Sequence, residues 1–194
     1  MSFSKPHKPG RFFALALFFI GAIILLDQYT KWLVTETMLK TGGKQPLFGD
    51  WFLTRQPLPE FMDQQETYNH VTINPYLDFV MVWNKGVSFG LFDSGNPTMA
   101  LVLIAFSLLI SMGLFIWMSF ANTRLLSAAL PFIIGGAVAN AIDRFRFGAV
   151  ADFIDVHIND SHWPAFNLAD SCICLGAALL VIDTLMSAGK GKKV

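Results

Sequence analysis

Apolar residues run along the chain in four long blocks, and polar residues gather between the blocks and at their ends. A membrane-crossing helix needs about 20 mostly apolar residues. The blocks that meet this run from about Phe12 to Val34, Pro97 to Phe120, Leu125 to Ile142 and Leu168 to Ser187. Residues 35–96 break the pattern. They are too long and too polar for a simple connection, and Gly42, Gly43, Pro46, Pro57, Pro59 and Pro75 leave no room for a long helix. Within them, Val71 to Val82 is rich in β-branched and aromatic residues, which predicts strand. The expected fold class is an all-α membrane protein, with four transmembrane helices and a small β-containing subdomain formed by residues 35–96 at the membrane surface. The chain, 1–194, reads as a single membrane domain without internal repeats.

Composition agrees. Hydrophobic residues make up 54% and charged residues 14%, with mean hydropathy +0.50, which leaves too little charge to cover a soluble domain of this size. The net charge is zero but unevenly spread. Lys5, Lys8 and Arg11 precede the first block, Arg124 lies in the turn between the second and third, and Lys190, Lys192 and Lys193 follow the fourth. Four spans put all of these on one side, and the positive-inside rule makes that side cytoplasmic, with both termini inside. Trp32, Trp51, Trp83 and Trp163 fall near the outer ends, as an aromatic belt would. The first block has a basic flank like a secretory signal. No A-x-A-like site follows it and it continues into Asp27 to Lys31, so an uncleaved anchor is expected. Cys172 and Cys174 fit neither a disulfide framework nor a zinc spacing and read as packing residues.

On this topology four polar clusters from distant parts of the sequence meet at the outer end. Asp27 and Lys31 lie late in the first span, Asn84 comes before the second, Asn140, Asp143 and Arg144 lie where the third exits, and Asn167 and Asp170 open the fourth. Ionisable groups in spans are costly and usually mark function. Each cluster also has a structural reading. Asp27 and Lys31 have the spacing of an intrahelical ion pair. Asn84-Lys85-Gly86 has turn composition. Arg144 is placed to pair with the Asp143 carboxylate. Asn167 reads equally as a helix N-cap, with Asp170 at N3. Asp152 is the residue that structure explains least, because it interrupts an apolar, β-prone run after Gly148 and needs a partner or a raised pKa. Asp155 reads as solvated or structural. His157, His162 and Asp160 do not form a compact ligand set, so no metal is expected.

The motifs carry a further signal. In order, the chain has Asp27-Gln28-Tyr29-Thr30-Lys31, Asn84-Lys85-Gly86-Val87-Ser88-Phe89, Gly135 to Arg144, Gly148-Ala149-Val150-Ala151-Asp152-Phe153 and Phe166-Asn167-Leu168-Ala169-Asp170-Ser171. Together they resemble the lipoprotein signal peptidases (signal peptidase II), bacterial inner-membrane aspartyl proteases, over about Leu26 to Gly176. The resemblance implies a catalytic pair, Asp152 and Asp170, with Asp27, Lys31, Asn84, Asn140, Asp143, Arg144 and Asn167 as supporting or substrate-binding polar residues. It implies prolipoproteins whose cysteine already carries diacylglycerol as substrates, cut on the N-terminal side of that cysteine. Membrane lipid is then a second partner, no nucleic acid or cofactor is expected, and the active site faces the periplasm of a multi-pass inner-membrane protein. Two departures stand out: Ala139 occupies a position where the family usually has Gly, and the stretch from Arg55 to Thr72 is longer than expected.

The chemistry suits the architecture. Amide hydrolysis needs a base to activate water and an acid to protonate the leaving amine, and two close carboxylates that share one proton supply both. A lipid-anchored substrate presents its cleavage site at headgroup depth, where the polar clusters lie. Three other classes compete. A proton-coupled transporter would place such groups near the midplane and show inverted repeats. A lipid-modifying enzyme would use a His or Cys nucleophile or an Arg-rich phosphate clamp, yet His70, His157 and His162 fall outside the motifs. A purely structural membrane protein would have no use for so many intramembrane charges.

Overall fold

The computed structural model describes residues 13–55, 68–86, 97–121 and 123–190. Phe12, the basic residues Lys5, Lys8, Arg11, Lys192 and Lys193, the prolines Pro57 and Pro59, and the motif residues Val87, Ser88 and Phe89 lie outside the described residues.

Four helices are long and apolar enough to cross a membrane, over Phe13–Leu39, Thr98–Ser119, Arg124–Phe147 and Leu168–Ser187. The first begins as α1 (Phe13–Trp32), which is apolar until Asp27. Its C-terminal end widens into a π-helical stretch, Leu33–Leu39, where the Lys40 N–H donates to the Thr35 carbonyl at 3.0 Å. A short α2 (Phe48–Leu53) follows, then β1 (Val71–Asn74) and β2 (Leu77–Asn84). The remaining spans are α3 (Pro97–Ser119), α4 (Arg124–Phe147) and α5 (Leu168–Lys190), with β3 (Val150–Ile158) and β4 (Ser161–His162) between the last two.

Two helices outrun the hydropathy pattern. The first span continues past Val34 to Leu39, and α4 continues past Ile142 to Phe147. Asp143, Arg144 and Arg146 look like an exit by polarity, but their groups find protein partners, so the helix runs on. It stops at Gly148, whose φ of 81° is the left-handed cap that glycine adopts without strain.

α4 is the buried centre and packs against α1, α3 and α5. Around it, Leu101, Phe106, Leu109 and Met112 of α3 and Leu185 of α5 stay exposed, as lipid-facing residues do. Small residues let α4 and α5 approach. A side chain at Gly176 would lie 2.7 Å from the Ala129 carbonyl, and one at Gly136 would run into the Ala169 carbonyl. At the N-terminal end of α4, Thr123 caps the helix by accepting from the Leu126 N–H at 3.0 Å and donates to Asp183 of α5 at 2.7 Å.

The strands form one antiparallel sheet in the order β1-β2-β3-β4. It is not confined to residues 35–96, because β3 and β4 come from the connection between the third and fourth spans. Val82 pairs with Asp152 and Asn84 with Val150. Phe153 of β3 and Val34 and Leu39 of the first span share an apolar cluster with Val71, Phe79 and Met81, which seats the sheet on the helix ends. Trp51, buried with Phe147 and Ala149 and flanked by Trp32 and Trp83, belongs to a second cluster instead of an exposed belt. Trp163 remains exposed.

Candidate active site

The C-terminal ends of α1 and α4 and the N-terminal end of α5 enclose a buried charge cluster. Asp27, Lys31 and Asp143 are 0% exposed. The Lys31 ammonium donates to Asp27 Oδ2 at 2.8 Å and Asp143 Oδ2 at 2.7 Å, and reaches Asn140 Oδ1 at 3.3 Å. Each carboxylate has further donors. Asp27 Oδ1 accepts from the Ala169 N–H at 2.8 Å, one of the free amides that open α5. Asp143 Oδ1 accepts from Gln28 Nε2 at 2.7 Å, and Oδ2 from the Ala151 N–H at 3.2 Å. Buried charges survive only when paired and hydrogen-bonded in this way.

Arg144 departs from expectation. Its guanidinium donates to the Gly86 carbonyl at 2.7 Å and the Asn140 carbonyl at 3.4 Å, while Asp143 pairs with Lys31. Adjacent helix positions point about 100° apart, so neighbouring residues do not share a face. Arg144 therefore ties the turn after β2 to α4, and Asn84 shapes that turn by accepting from the Gly86 N–H at 3.1 Å.

Next to this cluster stand Asp152 and Asp170, joined to it through the Ala151 amide and Asn140. Asp152, on β3, is 1% exposed. Its Oδ2 accepts from Asn84 Nδ2 at 3.0 Å and its Oδ1 from Asn167 Nδ2 at 2.6 Å. Asp170, in the first turn of α5, accepts at Oδ1 from Asn140 Nδ2 at 2.8 Å. Asn167 touches both. Its Oδ1 accepts from the Asp170 N–H at 2.9 Å, and its own N–H donates weakly to Asp170 Oδ2 at 3.4 Å, a reciprocal cap. Capping and bridging are thus one arrangement. Burial first, and then the nearby negative charge of Asp170, push the Asp152 carboxyl up to about 7, against the lowering effect of the two asparagine donors and Lys31. At neutral pH this leaves one carboxyl poised to hold a proton beside a second carboxylate.

The histidines sit elsewhere on the sheet. His70 and His157 Nε2 approach Asp78 Oδ2 at 2.7 and 3.1 Å, and His162 Nδ1 lies 2.8 Å from Asp155. Burial opposes it, but the hydrogen bonds from His70 and Thr72 hold the Asp78 carboxyl below its usual range. Among the described residues no group of three or more His, Cys, Asp or Glu is arranged to hold a metal.

Two members of the network escape a reading based on charge pairs. Gln28 donates to Asp143 and accepts from Arg146 Nη1 at 3.0 Å, and Arg146 also donates to the Trp51 carbonyl. The available signal was a glutamine inside an apolar helix, next to an aspartate.

The family described as Signal peptidase (SPase) II matches residues 19–186. A lipoprotein signal peptidase of Methylobacterium radiotolerans is 46% identical over 116 residues, covering 60% of this chain and 68% of that one. Another, from Rhodopseudomonas palustris, is 39% identical over 126 residues, covering 63% and 77%. A solved bacterial membrane enzyme, determined by the in meso method at 2.3 Å, shares the fold with a TM-score of 0.70 at 23% identity, covering 98% of each chain.

Proposed function

The chain belongs to the signal peptidase II family, the peptidases that cleave signal peptides from prolipoproteins, and we propose that it does so as an aspartic peptidase with Asp152 and Asp170 as the catalytic pair. The observation that carries this reading is Asn167, whose amide bonds to Asp152 while its cap orders Asp170. The ionised member of the pair takes a proton from a water, and that water attacks the scissile carbonyl. The protonated member then delivers its proton to the leaving amine. Asn84 and Asn140 hold the two carboxyls from opposite sides, each donating through its amide. Asp27, Lys31 and Asp143 form the charged base on which the asparagines rest, and Arg144 fixes the Asn84 turn through Gly86. The exposed apolar flanks of the spans adjoin this site, so a substrate anchored by diacylglycerol arrives with its cysteine at the depth of the carboxyls.

In this arrangement the protein lies in the bacterial inner membrane with both termini in the cytoplasm and the sheet and the carboxyls on the periplasmic side. Of the sheet, β2 and β3 border the site, through Asn84 and Asp152. The test is incubation of the full chain, and of Asp152→Asn and Asp170→Asn, with a diacylglyceryl-modified prolipoprotein, reading product masses. Cleavage on the N-terminal side of the lipidated cysteine by the wild type alone is expected. Substantial turnover by either variant at matched protein level rules the pair out.

A further inference from the structure

Arg146 is buried near the C-terminal end of α4, yet among the described residues it makes no close ion pair like those of Lys31. Its guanidinium sits in an aromatic cage, 4.0 Å from the Trp51 ring centre, 4.4 Å from Phe147 and 5.4 Å from Phe52. Such rings favour a planar cation through their faces and fix its plane. One terminal nitrogen donates to the Trp51 carbonyl in α2. The other donates to Gln28 Oε1 at 3.0 Å.

That second bond holds the oxygen end of the Gln28 amide, while its Nε2 faces the acceptors Asp143 Oδ1, Asp27 Oδ2 at 3.3 Å and the Ala139 carbonyl at 3.4 Å. With its oxygen engaged by Arg146, Gln28 must present its NH2 to Asp143 Oδ1, where it donates at 2.7 Å. Turned over, the amide would aim an oxygen at a carboxylate. Asp143 in turn accepts the N–H of Ala151, the residue before Asp152, and shares the Lys31 ammonium. Lys31 reaches Asn140 Oδ1, and Asn140 donates to Asp170. A hydrogen-bonded path therefore runs from α2 through Asn140 to Asp170 and, by way of Asn167, to Asp152, while a second branch reaches the β3 backbone at Ala151, one residue before Asp152.

We propose that Arg146 is a positioning residue for the cleavage reaction: locked in its cage, it orients the Gln28 amide so that Asp143 holds Asp152 and Asp170 in register. This rests on the reading of those two aspartates as the catalytic pair. The function it adds is a link between α2, a surface element, and the chemistry. Removing the guanidinium leaves Gln28 Oε1 without its donor, so the amide is anchored at its NH2 end alone and its hold on Asp143 loosens. The carboxyls then sit loosely, and misplacement by about 1 Å is enough to lower a rate about a hundredfold.

The test compares the full-length wild type, Arg146→Ala, Arg146→Lys, Gln28→Met and Asp152→Asn on a diacylglyceryl-modified prolipoprotein, with rates expressed per folded enzyme. Arg146→Ala is expected to lower kcat by about tenfold to a hundredfold with KM within about twofold, and to displace the pH–rate profile. Arg146→Lys keeps a donor to one of the two acceptors but not the planar fork, and recovers part of the rate. Gln28→Met, which leaves the cage whole, is expected to match the loss in kcat and to decide the matter if Arg146→Ala does not fold. The double change should be no slower than Gln28→Met alone. Wild-type kcat and pH profile in Gln28→Met, or in folded Arg146→Ala, would overturn the proposal while Asp152→Asn stays inactive. An active Asp152→Asn would instead overturn the catalytic pair.

Discussion

Replacing Asp152 by asparagine should separate the chemistry of this carboxyl from its effect on stability. Raising its pKa from 3.8 to about 7 means that ionising it is harder in the folded protein than in the unfolded chain by about 4 kcal/mol. The sign follows. Below about pH 4 both states hold the proton and this group leaves stability untouched. As pH rises from there to about 7, the unfolded chain has lost its proton and the folded one keeps it, so stability falls by about 1.4 kcal/mol per pH unit and then levels off. Asparagine does not titrate, so it escapes this loss. It brings a fixed penalty of its own. Both carboxylate oxygens accept from amide donors, Asn84 and Asn167, so the new NH2 must face one of them. The oxygens of those two asparagines are already engaged by the Gly86 and Asp170 amides. That mismatch costs about 1–3 kcal/mol at any pH. The stability of Asp152→Asn relative to wild type should therefore improve by about 3 kcal/mol between pH 5 and pH 8, measured by reversible denaturation in detergent, while cleavage is absent at both. A constant offset across that range would refute the argument that burial and Asp170 hold the proton on Asp152.

Lys31→Met removes the one ammonium shared by two fully buried carboxylates, and should destabilise the protein by about 3–5 kcal/mol, seen as lost folded yield and a lower melting temperature. Gly136→Ile should disrupt the contact of α4 with Ala169 in the first turn of α5, and so lose both folded protein and activity, whereas Gly113→Ala, which meets nothing, should leave both intact. Lys190→Cys should react with an impermeant maleimide only after the inner face is opened, and ready labelling in intact cells would invert the topology. Unlipidated precursor should be cleaved far more slowly than the diacylglyceryl form, and equal rates would show that acyl anchoring does not position the bond.

Much of the molecule could be read before its coordinates. Apolar run length alone pointed to the four helices long and apolar enough to cross a membrane, because a bilayer imposes one scale on all of them. The polar motifs pointed to the residues that gather at one end, since every intramembrane charge must find a partner somewhere. What stayed hidden was the partner. Asp143 and Arg144 are adjacent in sequence, yet Asp143 pairs with Lys31, 112 positions away, because helix geometry turns Arg144 toward Gly86. The pairing of β2 with β3 was hidden for the same reason, since two spans separate them. Arg146 went unread because its partners are aromatic faces, a glutamine and a carbonyl, none of which declares itself as the complement of a charge.

The joining of β2 to β3 across two spans has a consequence for how the protein is made. Asn84 is synthesised before α3 and α4, Asp152 after them, and Asp170 only as α5 emerges. A growing chain that has threaded three helices into the bilayer holds one aspartate of the pair with neither Asn167 nor Asp170 beside it. Insertion of the fourth helix brings the cap, the second carboxyl and the amide that receives Asp27 in a single step. The hydrogen bonds that join Asp152, Asn167 and Asp170 therefore wait for the fourth helix, and on the proposed roles of the two aspartates no partly built chain would hold both carboxyls.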